Sequence, residues 1–276
     1  FDLNCLENLL SDKTKLICIG GASNLLGTIN DIKSICKIAK KANALTYIDA
    51  VQLAPHVSID VQDIDCDFLV CSAYKFFGPH QGILWGKRKL LKSLSPYKVR
   101  PATSELPGCF ETGTQSHEGM AGTTAAVNYF AWIGREYAES YQIENKYKNE
   151  RTKFVHAALD YLFEYEKILT IDLIEGLQNI KNVQVQGITE KNALDRRLPT
   201  VSFSVSGLSP SRIAEGLAKE NIFVWSGHSY ALEVVKSLNL LDEGGVLRTG
   251  PVHYNTINEV HEFLEILDKL ISKELG

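Results

Sequence analysis

The sequence lacks long apolar runs and an excess of basic charge, and each absence argues against a class of protein. No uncharged apolar segment approaches the roughly 18 residues that a membrane-spanning helix needs, so we expect no membrane partner. The 29 lysines and arginines are outnumbered by 33 acidic residues, which gives a net charge of −4. Nucleic-acid binding depends on clustered basic side chains. We interpret the densest basic cluster, between Lys87 and Lys98, as a solvated helix face, and we expect no nucleic-acid partner.

The sequence also lacks the residue spacings of common metal and redox sites. None of its six cysteines forms a CxxC pair, and none of its seven histidines lies in an HExxH motif, which argues against zinc and predicts no bound metal. Most of the cysteines have apolar neighbours, as Cys18 and Cys71 do. We interpret them as small buried residues of a protein from a reducing compartment, which predicts a cytoplasmic location.

The first half of the chain alternates short apolar segments with a helical pattern. Strands are predicted over residues 15–19, 45–48, 67–71 and 82–85, and a helix over residues 31–44. Strands separated by helix-length segments need crossover connections, so a mostly parallel sheet is expected. Ligands of such sheets bind at the carboxyl edge, where the strands end.

The second half is predicted to be a long helix followed by a smaller lobe. The pattern is almost continuously helical from residue 119 to residue 169. Beyond it we predict strands over 182–186, 200–205, 221–225 and 245–248, and helices over 209–220 and 256–274, with start signals at Ser209 and Thr256. The predicted fold is therefore α/β, with residues 1–135 in a large domain and residues 136–276 forming the linking helix and a small α+β C-terminal domain.

Polar residues follow three successive predicted strands. Asn24 comes after the first strand, Asp49 and Gln52 after the second, and Ser72 and Lys75 after the third. Because parallel strands end at a common edge, we expect an amide, a carboxylate and an amine to converge on one crevice.

Lys75 and Asp49 each allow two interpretations. Lys75 has aromatic neighbours, and partial desolvation among them would favour a nucleophilic amine. Alternatively, its stem packs on the rings while its charged head stays in water. An aspartate at a buried strand end needs a cationic partner, and a protonated pyridine nitrogen would serve. Alternatively, Asp49 forms a turn or caps the next helix.

Six segments resemble the motifs of one enzyme family. Residues 23–28, 49–52 and 72–75 are similar to those of the fold-type I, class V pyridoxal 5'-phosphate (PLP) enzymes. The closest likeness is to the cysteine-desulfurase-like branch related to NifS and SufS. Residues 110–115, 225–228 and 247–256 extend the resemblance in the right order. The resemblance implies a PLP-dependent transferase-like fold, with PLP as the cofactor.

The resemblance implies a role for each polar residue of the first half. Lys75 would form the Schiff base with PLP, Asp49 would pair with the pyridine nitrogen, and Gln52 would contact the phenolic oxygen. Ser72 would bind the phosphate. Thr114 would reach the phosphate of a neighbouring protomer, so a homodimer is implied.

The resemblance also implies a binding site for a small amino-acid substrate. Arg248 would bind the α-carboxylate, because its planar fork suits a target with two oxygens. A surface ion pair is the alternative for this residue. Asn24 would contact either the cofactor or the same carboxylate. His228 is a candidate for acid–base catalysis, with a structural role as the alternative.

Two positions depart from the desulfurase pattern. The residue before the active lysine is commonly a phosphate-binding histidine, and here it is Tyr74, whose phenol can still donate a hydrogen bond to the cofactor. The loop that carries a catalytic cysteine resembles residues 226–230, where Ser229 and Tyr230 stand instead. Persulfide formation needs a thiolate. We therefore expect lyase or transaminase chemistry that does not use the desulfurase thiol. Of these, a lyase of the cysteine-lyase type is the preferred prediction.

Further expectations concern completeness and the rival functions. Family members have an N-terminal stretch that supplies a phosphate-binding loop and a stacking ring, and neither is identifiable before Leu16, so we expect this sequence to hold part of the pocket. One rival is a non-catalytic relic of the fold that binds a cofactor or a partner. The other is a dinucleotide-binding oxidoreductase, based on Gly20, Gly21, Gly27 and Asp49, although the glycine spacing is not GxGxxG.

Overall fold

The computed structural model of the protein describes residues 3–142 and 147–276. The chain forms two compact units. Unit 1 consists of the chain up to Gly21 together with Asp31–Asp160, and unit 2 consists of Ala22–Asn30 and Tyr161–Gly276. The predicted domains 1–135 and 136–276 stay a prediction. No helix in the described ranges is both long and apolar enough to cross a membrane.

Unit 1 contains a four-stranded sheet. Its strands, in spatial order, are β1 (Leu16–Gly20), β2 (Leu45–Asp49), β3 (Phe68–Ser72) and β4 (Gly82–Gly86). The first three strands run parallel, and β4 runs antiparallel to β3. Because β2 and β3 are parallel neighbours, the residues that follow them share one edge of the sheet.

In the described part of unit 1, five helices and three short 3-10 helices accompany this sheet, before a further helix that continues into unit 2. The helices are α1 (Leu3–Leu9), α2 (Ile32–Lys41), α3 (Val61–Ile64), α4 (Arg88–Ser93) and α5 (His117–Glu136), and the 3-10 helices are Ala73–Phe76, Gly108–Phe110 and Glu139–Tyr141. The sequence of α2 shows why such elements form. The Asp31 carboxylate accepts a hydrogen bond from the Ser34 N–H at 2.9 Å and so caps the helix. Ile35 and Ala39 lie on one face of α2, are fully buried, and pack in a common core with Ile17 of β1.

The almost continuous helical pattern predicted from residue 119 to residue 169 is confirmed at both ends, but the prediction of one long helix is wrong. α5 ends at Glu136, and a separate helix, α6 (Glu150–Asn179), begins in unit 1 and ends in unit 2; residues 143–146 of the predicted helix lie outside the described residues. The two helices touch backbone to backbone, since a Cβ on Gly134 would lie only 1.8 Å from the Phe154 carbonyl oxygen. A glycine allows this approach, because it has no Cβ.

Unit 2 contains a second four-stranded sheet, which is antiparallel. Its order is β5 (Val183–Gln186), β6 (Val201–Val205), β8 (Val246–Thr249) and β7 (Trp225–Gly227). The remaining helices are α7 (Pro210–Lys219), α8 (Leu232–Ser237) and α9 (Ile257–Leu275), with a 3-10 helix at Lys191–Arg196. Its core includes Phe203, Leu217 and Leu267, which are fully buried.

The helix starts of unit 2 were predictable, and one strand was not. Ser209 caps α7, and Thr256 forms a capping box with Glu259 at the start of α9, which confirms both predicted starts. The predicted strand 221–225 is wrong apart from Trp225. Asn221 adopts a left-handed φ of +60°, and this residue type commonly ends a helix in that conformation.

The segment Ala22–Asn30, which we call the strap, belongs to unit 2, whereas the residues on either side of it belong to unit 1. The Leu198 N–H donates to the Gly27 carbonyl at 2.8 Å. Gly27 has a φ of +71°, and a Cβ there would lie 2.5 Å from the Thr200 carbonyl oxygen. Only glycine allows both the left-handed φ and this short distance. Gly27 therefore lets the strap lie close against the rest of unit 2.

Three of the six cysteines are buried and Cys71 is half-buried, so the prediction that most of them are buried holds only in part. Cys36, Cys66 and Cys109 are buried, whereas Cys5 and Cys18 are exposed, which corrects the expectation for Cys18, and all six are free thiols. Burial raises the pKa of the Cys66 thiol to about 11. This thiol is therefore protonated at neutral pH and is a poor nucleophile.

Candidate active site

The ends of β2 and β3 bring two of the predicted site residues to one edge of the unit 1 sheet. β2 ends at Asp49 and β3 ends at Ser72. In the parallel register Asp49 pairs with Val70, and the Ala50 N–H donates to the Val70 carbonyl at 2.8 Å. Ser72 therefore lies two residues beyond the partner of Asp49.

The carboxylate of Asp49 is exposed, which corrects the expectation of a buried strand end. It accepts a hydrogen bond from the Val51 N–H at 2.9 Å. This is the turn-forming contact of an aspartate, so the turn interpretation holds for this side chain. The same carboxylate keeps its second oxygen for a ligand, because a carboxylate accepts several hydrogen bonds. Gln52 follows in the same turn and is half-buried.

Lys75 lies directly beyond β3, in the 3-10 helix Ala73–Phe76, and is half-buried. Its ammonium Nζ lies 5.3 Å from the centroid of the Tyr74 ring, a cation–π distance. Tyr74 is 46% exposed. Its ring also stacks on His80, with centroids 5.0 Å apart and planes inclined by 17°. One of the aromatic neighbours of Lys75 in the sequence, Tyr74, therefore also lies beside its ammonium group.

Thr114 lies apart from these residues in the chain, in the loop before α5, and its side chain is exposed. Helix α5 begins with the Ser116 hydroxyl accepting from the Gly119 N–H at 3.2 Å. The predicted role of Thr114 at the phosphate of a second protomer stays a prediction.

In unit 2 the structure brings together Arg248, Asn24 and the loop that carries His228. Arg248 lies on β8, paired with Ser202 of β6 on one side and with Trp225 of β7 on the other. Its Nη1 donates to the Asn24 carbonyl at 2.9 Å. Burial lowers the pKa of the Arg248 guanidinium from its usual range, and this arginine nonetheless stays charged at neutral pH.

Asn24 links the strap to the loop after β7. Its amide Nδ2 donates to the Ser229 carbonyl at 2.8 Å. Ser229 and Tyr230 both adopt left-handed backbone conformations, with φ of 47° and 61°. The Ala231 N–H donates to the His228 carbonyl at 2.7 Å and closes a tight turn. Two consecutive left-handed residues are costly without glycine, so the amide of Asn24 helps to hold a strained turn.

The turn displays two of its side chains to solvent. His228 is exposed, and its Nδ1 accepts from the Tyr230 N–H at 3.1 Å. Tyr230 is almost completely exposed. The Ser229 hydroxyl is buried and has no hydrogen-bond partner in the described chain. No cysteine lies in this turn.

Sequence reasoning missed two buried polar residues of unit 2 that donate to backbone carbonyls, one of which, Ser202, binds the strap. The Ser202 hydroxyl is fully buried and donates to the Leu25 carbonyl at 2.5 Å. Arg197 is also buried, and its guanidinium donates to the carbonyls of Gln186 and Thr200 at 3.1 and 3.2 Å. Burial lowers the pKa of Arg197 to about 10. No spacing signal identifies either residue, because both bind backbone carbonyls, which any residue type supplies, and the partner of Ser202 lies 177 residues away in the sequence.

Comparison with known proteins gives a consistent result. A family model described as Aminotransferase class-V matches residues 1–263. A probable cysteine desulfurase of Synechocystis sp. is 32% identical over 98% of this chain, and the aminotransferase-like protein FGM3 of Gibberella zeae is 32% identical over 96% of it. The apo structure of a cysteine desulfurase from Thermococcus onnurineus NA1 superposes with a TM-score of 0.82, at 27% identity over 99% of this chain. The chain spans 60–61% of the length of the two curated relatives and 64% of the length of the solved chain.

Proposed function

The chain belongs to the aminotransferase class-V family, a family of PLP-dependent enzymes with the α/β fold predicted from the sequence, and from that premise we propose that it is part of a PLP-dependent enzyme that acts on a small amino acid. One observation carries the proposal. Asp49 and Ser72 end neighbouring parallel strands, and Lys75 follows in the next turn. PLP carries a pyridine nitrogen, a phosphate and an aldehyde. The carboxylate, the hydroxyl and the amine on this sheet edge can bind these three groups.

The residues of unit 1 fit this cofactor by their chemistry. When bound, PLP supplies an electron sink for the bonds at the substrate α-carbon. The Lys75 amine would hold its aldehyde, and the free oxygen of Asp49 would hold its pyridine nitrogen. Gln52 would contact the phenolic oxygen, while Ser72 and Tyr74 would donate to the phosphate.

The residues of unit 2 fit an amino-acid carboxylate. Arg248 has donors beyond the one bound to the Asn24 carbonyl, and its planar fork matches two carboxylate oxygens. Asn24 keeps Arg248 and the turn at Ser229 in a fixed relation. In this proposal Arg248 would bind and orient the substrate. The substrate amine would displace Lys75 from the aldehyde, and the Lys75 amine released in this way would take and return the proton at the α-carbon, with His228 as the candidate for a second proton transfer.

The chemistry proposed is that of a lyase, with transamination as the alternative, and without a persulfide on the enzyme. Every cysteine of the sequence lies at or before Cys109, so the turn with Ser229 and Tyr230 holds no thiol. Cys66 has its pKa raised to about 11 and supplies no thiolate in its place. The dimer proposal rests on Thr114, which would contribute to the phosphate site from a second copy of the chain. The free cysteines favour a cytoplasmic location.

Borohydride reduction of the full-length protein tests the proposal. Sodium borohydride converts the link between a lysine amine and PLP into a stable bond, so we expect mass spectrometry to find the cofactor on the Lys75 peptide. The variant Lys75→Ala is expected to lose this adduct. Titration with a panel of amino acids is expected to shift the absorption of the bound cofactor. A colourless protein with no adduct on that peptide would instead support a non-catalytic relic of the fold or a dinucleotide-binding oxidoreductase.

A further inference from the structure

The loop that joins β3 to β4 places a histidine beside the proposed cofactor residues. Ser72 pairs with Gly82 in the antiparallel register, and the Ala73 N–H donates to the Gln81 carbonyl at 2.9 Å. The two ends of the loop therefore meet. The Gln81 N–H also donates to the Pro79 carbonyl at 2.8 Å, a three-residue turn with His80 at its centre. This turn fixes the backbone from which His80 projects.

The side chain of His80 returns to the start of the same loop. Its ring stacks on Tyr74, with centroids 5.0 Å apart and planes inclined by only 17°. Tyr74 in turn lies 5.3 Å from the Lys75 ammonium. His80 is exposed and Tyr74 is 46% exposed, so both rings are accessible to a ligand.

The loop is suited to an anion by its composition. Residues 72–82 include one lysine, one histidine, one tyrosine and one serine, and no aspartate or glutamate. Each of these four side chains can donate a hydrogen bond. No carboxylate of the loop competes for these donors or repels an incoming anion. The close turn depends on Gly78, where a Cβ would lie 2.9 Å from the Ala73 Cβ.

We propose that His80, stacked on Tyr74, binds the phosphate group of the cofactor together with Ser72. The inference deepens the proposed function and rests on it. A phosphate presents three strong acceptor oxygens, so it can accept from the imidazole N–H, the phenol O–H and the serine O–H together. The stack orders the two rings before the ligand arrives, which reduces the entropy lost on binding.

Binding of two ligands that differ only in the phosphate tests the proposal. The apo form of the full-length protein is titrated by calorimetry with pyridoxine 5'-phosphate and with pyridoxine, neither of which carries an aldehyde that could react with lysines. We expect His80→Gln and His80→Phe to weaken binding of the phosphorylated ligand about tenfold or more, which corresponds to about 1.4 kcal/mol. Binding of pyridoxine is expected to stay unchanged. His80→Phe keeps an aromatic ring for the stack, so its loss isolates the imidazole donor.

Matched variants make the result specific. Tyr74→Phe keeps the stack and removes the hydroxyl, and we expect it to weaken only the phosphorylated ligand. His261→Gln removes an exposed imidazole that pairs with Asp172 in unit 2, and we expect both affinities to equal those of the wild type. Thermal melting shows whether each variant is folded.

The outcomes separate this inference from the proposed function. If His80→Gln binds both ligands as the wild type does, or weakens both equally, the phosphate role of His80 is overturned while the PLP proposal stands. If the wild-type protein binds neither ligand and shows no borohydride adduct on Lys75, both proposals fail together.

Discussion

Arg248 lies on a strand that is paired on both sides, so the backbone that carries its positive charge is held in place. Its strand lies between β6 and β7, and Nη1 is bound to the Asn24 carbonyl. We predict that Arg248→Lys raises KM for the proposed amino-acid substrate about 10- to 100-fold in the full-length protein, because a charge-assisted hydrogen bond of about 1.5–3 kcal/mol is lost. The effect on kcat should be smaller. Steady-state kinetics measure both.

The control for this substitution is Arg212→Lys. Arg212 pairs with Glu274 at the surface of unit 2, and its replacement should leave both constants unchanged. A loss of kcat in Arg248→Lys with no change in KM would contradict a role in substrate binding.

Asp65 lies between two lysines at the end of α3. Its carboxylate accepts from Lys40 at 2.8 Å and from Lys87 at 2.7 Å. These hydrogen bonds lower the pKa of Asp65 to about 2. The folded pKa is below the unfolded value of roughly 3.9. The charge therefore stabilises the fold above about pH 4, and its contribution is lost as the pH falls toward 2.

We predict that Asp65→Asn lowers the melting temperature by about 1–3 °C at pH 7, in line with a surface ion pair. At pH 2 the variant and the wild type should melt alike. Asparagine tolerates the left-handed φ of 58° at this position, so the substitution removes the charge alone. Asp242→Asn, in an exposed turn, serves as the control. An equal difference at both pH values would contradict the electrostatic explanation.

For single residues, the sequence predicted the position in the chain better than the environment of the side chain. The location of Asp49 and Ser72 at strand ends, with Lys75 directly after, was predictable, because strand ends are visible in the apolar pattern. The exposure of Asp49 was not, since it depends on the path of the chain after β2. The related family commonly has a histidine at the position of Tyr74, and the structure brings His80 to the Tyr74 ring through a turn that the sequence pattern does not reveal.

The turn from His228 to Ala231 is an element under backbone strain. Ser229 is left-handed and its buried hydroxyl lacks a partner in the described residues. We predict that Ser229→Gly stabilises the protein by about 0.5–1 kcal/mol, because glycine removes both penalties. Urea unfolding measures the change.

Two further variants test this explanation. Ser211→Gly in α7 should destabilise the protein, since glycine in a helix costs about 0.5–1 kcal/mol. Asn24→Ala should also destabilise it, because the Ser229 carbonyl loses its donor. A destabilised Ser229→Gly would show that the turn is not strained.

Elements with a strong local pattern were predicted and those set by long-range packing were not. Helices α7 and α9 begin at their predicted caps because capping is a contact between neighbours in the sequence. The break between α5 and α6 depends on the contact of Gly134 with Phe154, twenty residues apart in the chain. The helical pattern of the sequence continues on both sides of the break and does not reveal this contact.

At the scale of the whole molecule, the missing thiol predicts the products. Cysteine and a reductant should yield little sulfide with the full-length protein, compared with a cysteine desulfurase that carries its loop cysteine. The methylene blue assay for sulfide measures this. Robust turnover that survives both Tyr230→Phe and Ser229→Ala would show that another group accepts the sulfur and would contradict the prediction.

The family and the α/β fold were predictable for the whole chain, because six motifs occur in the family's order. The sequence did not predict that the strap belongs to unit 2. The strap follows β1 directly in the sequence, and it is held in unit 2 by contacts with Leu198 and Ser202, more than 170 residues further along. Only the folded chain shows these contacts.

The path of the strap has a consequence for dissecting the protein. The chain passes from one unit to the other at Gly21–Ala22, at Asn30–Asp31 and within α6 at Asp160–Tyr161. No single cut therefore yields two intact halves. A C-terminal fragment starting at Tyr161 would leave the Ser202 hydroxyl and the Leu198 amide without their acceptors, and expression trials of that half would need residues 22–30 joined to it or added as a separate peptide.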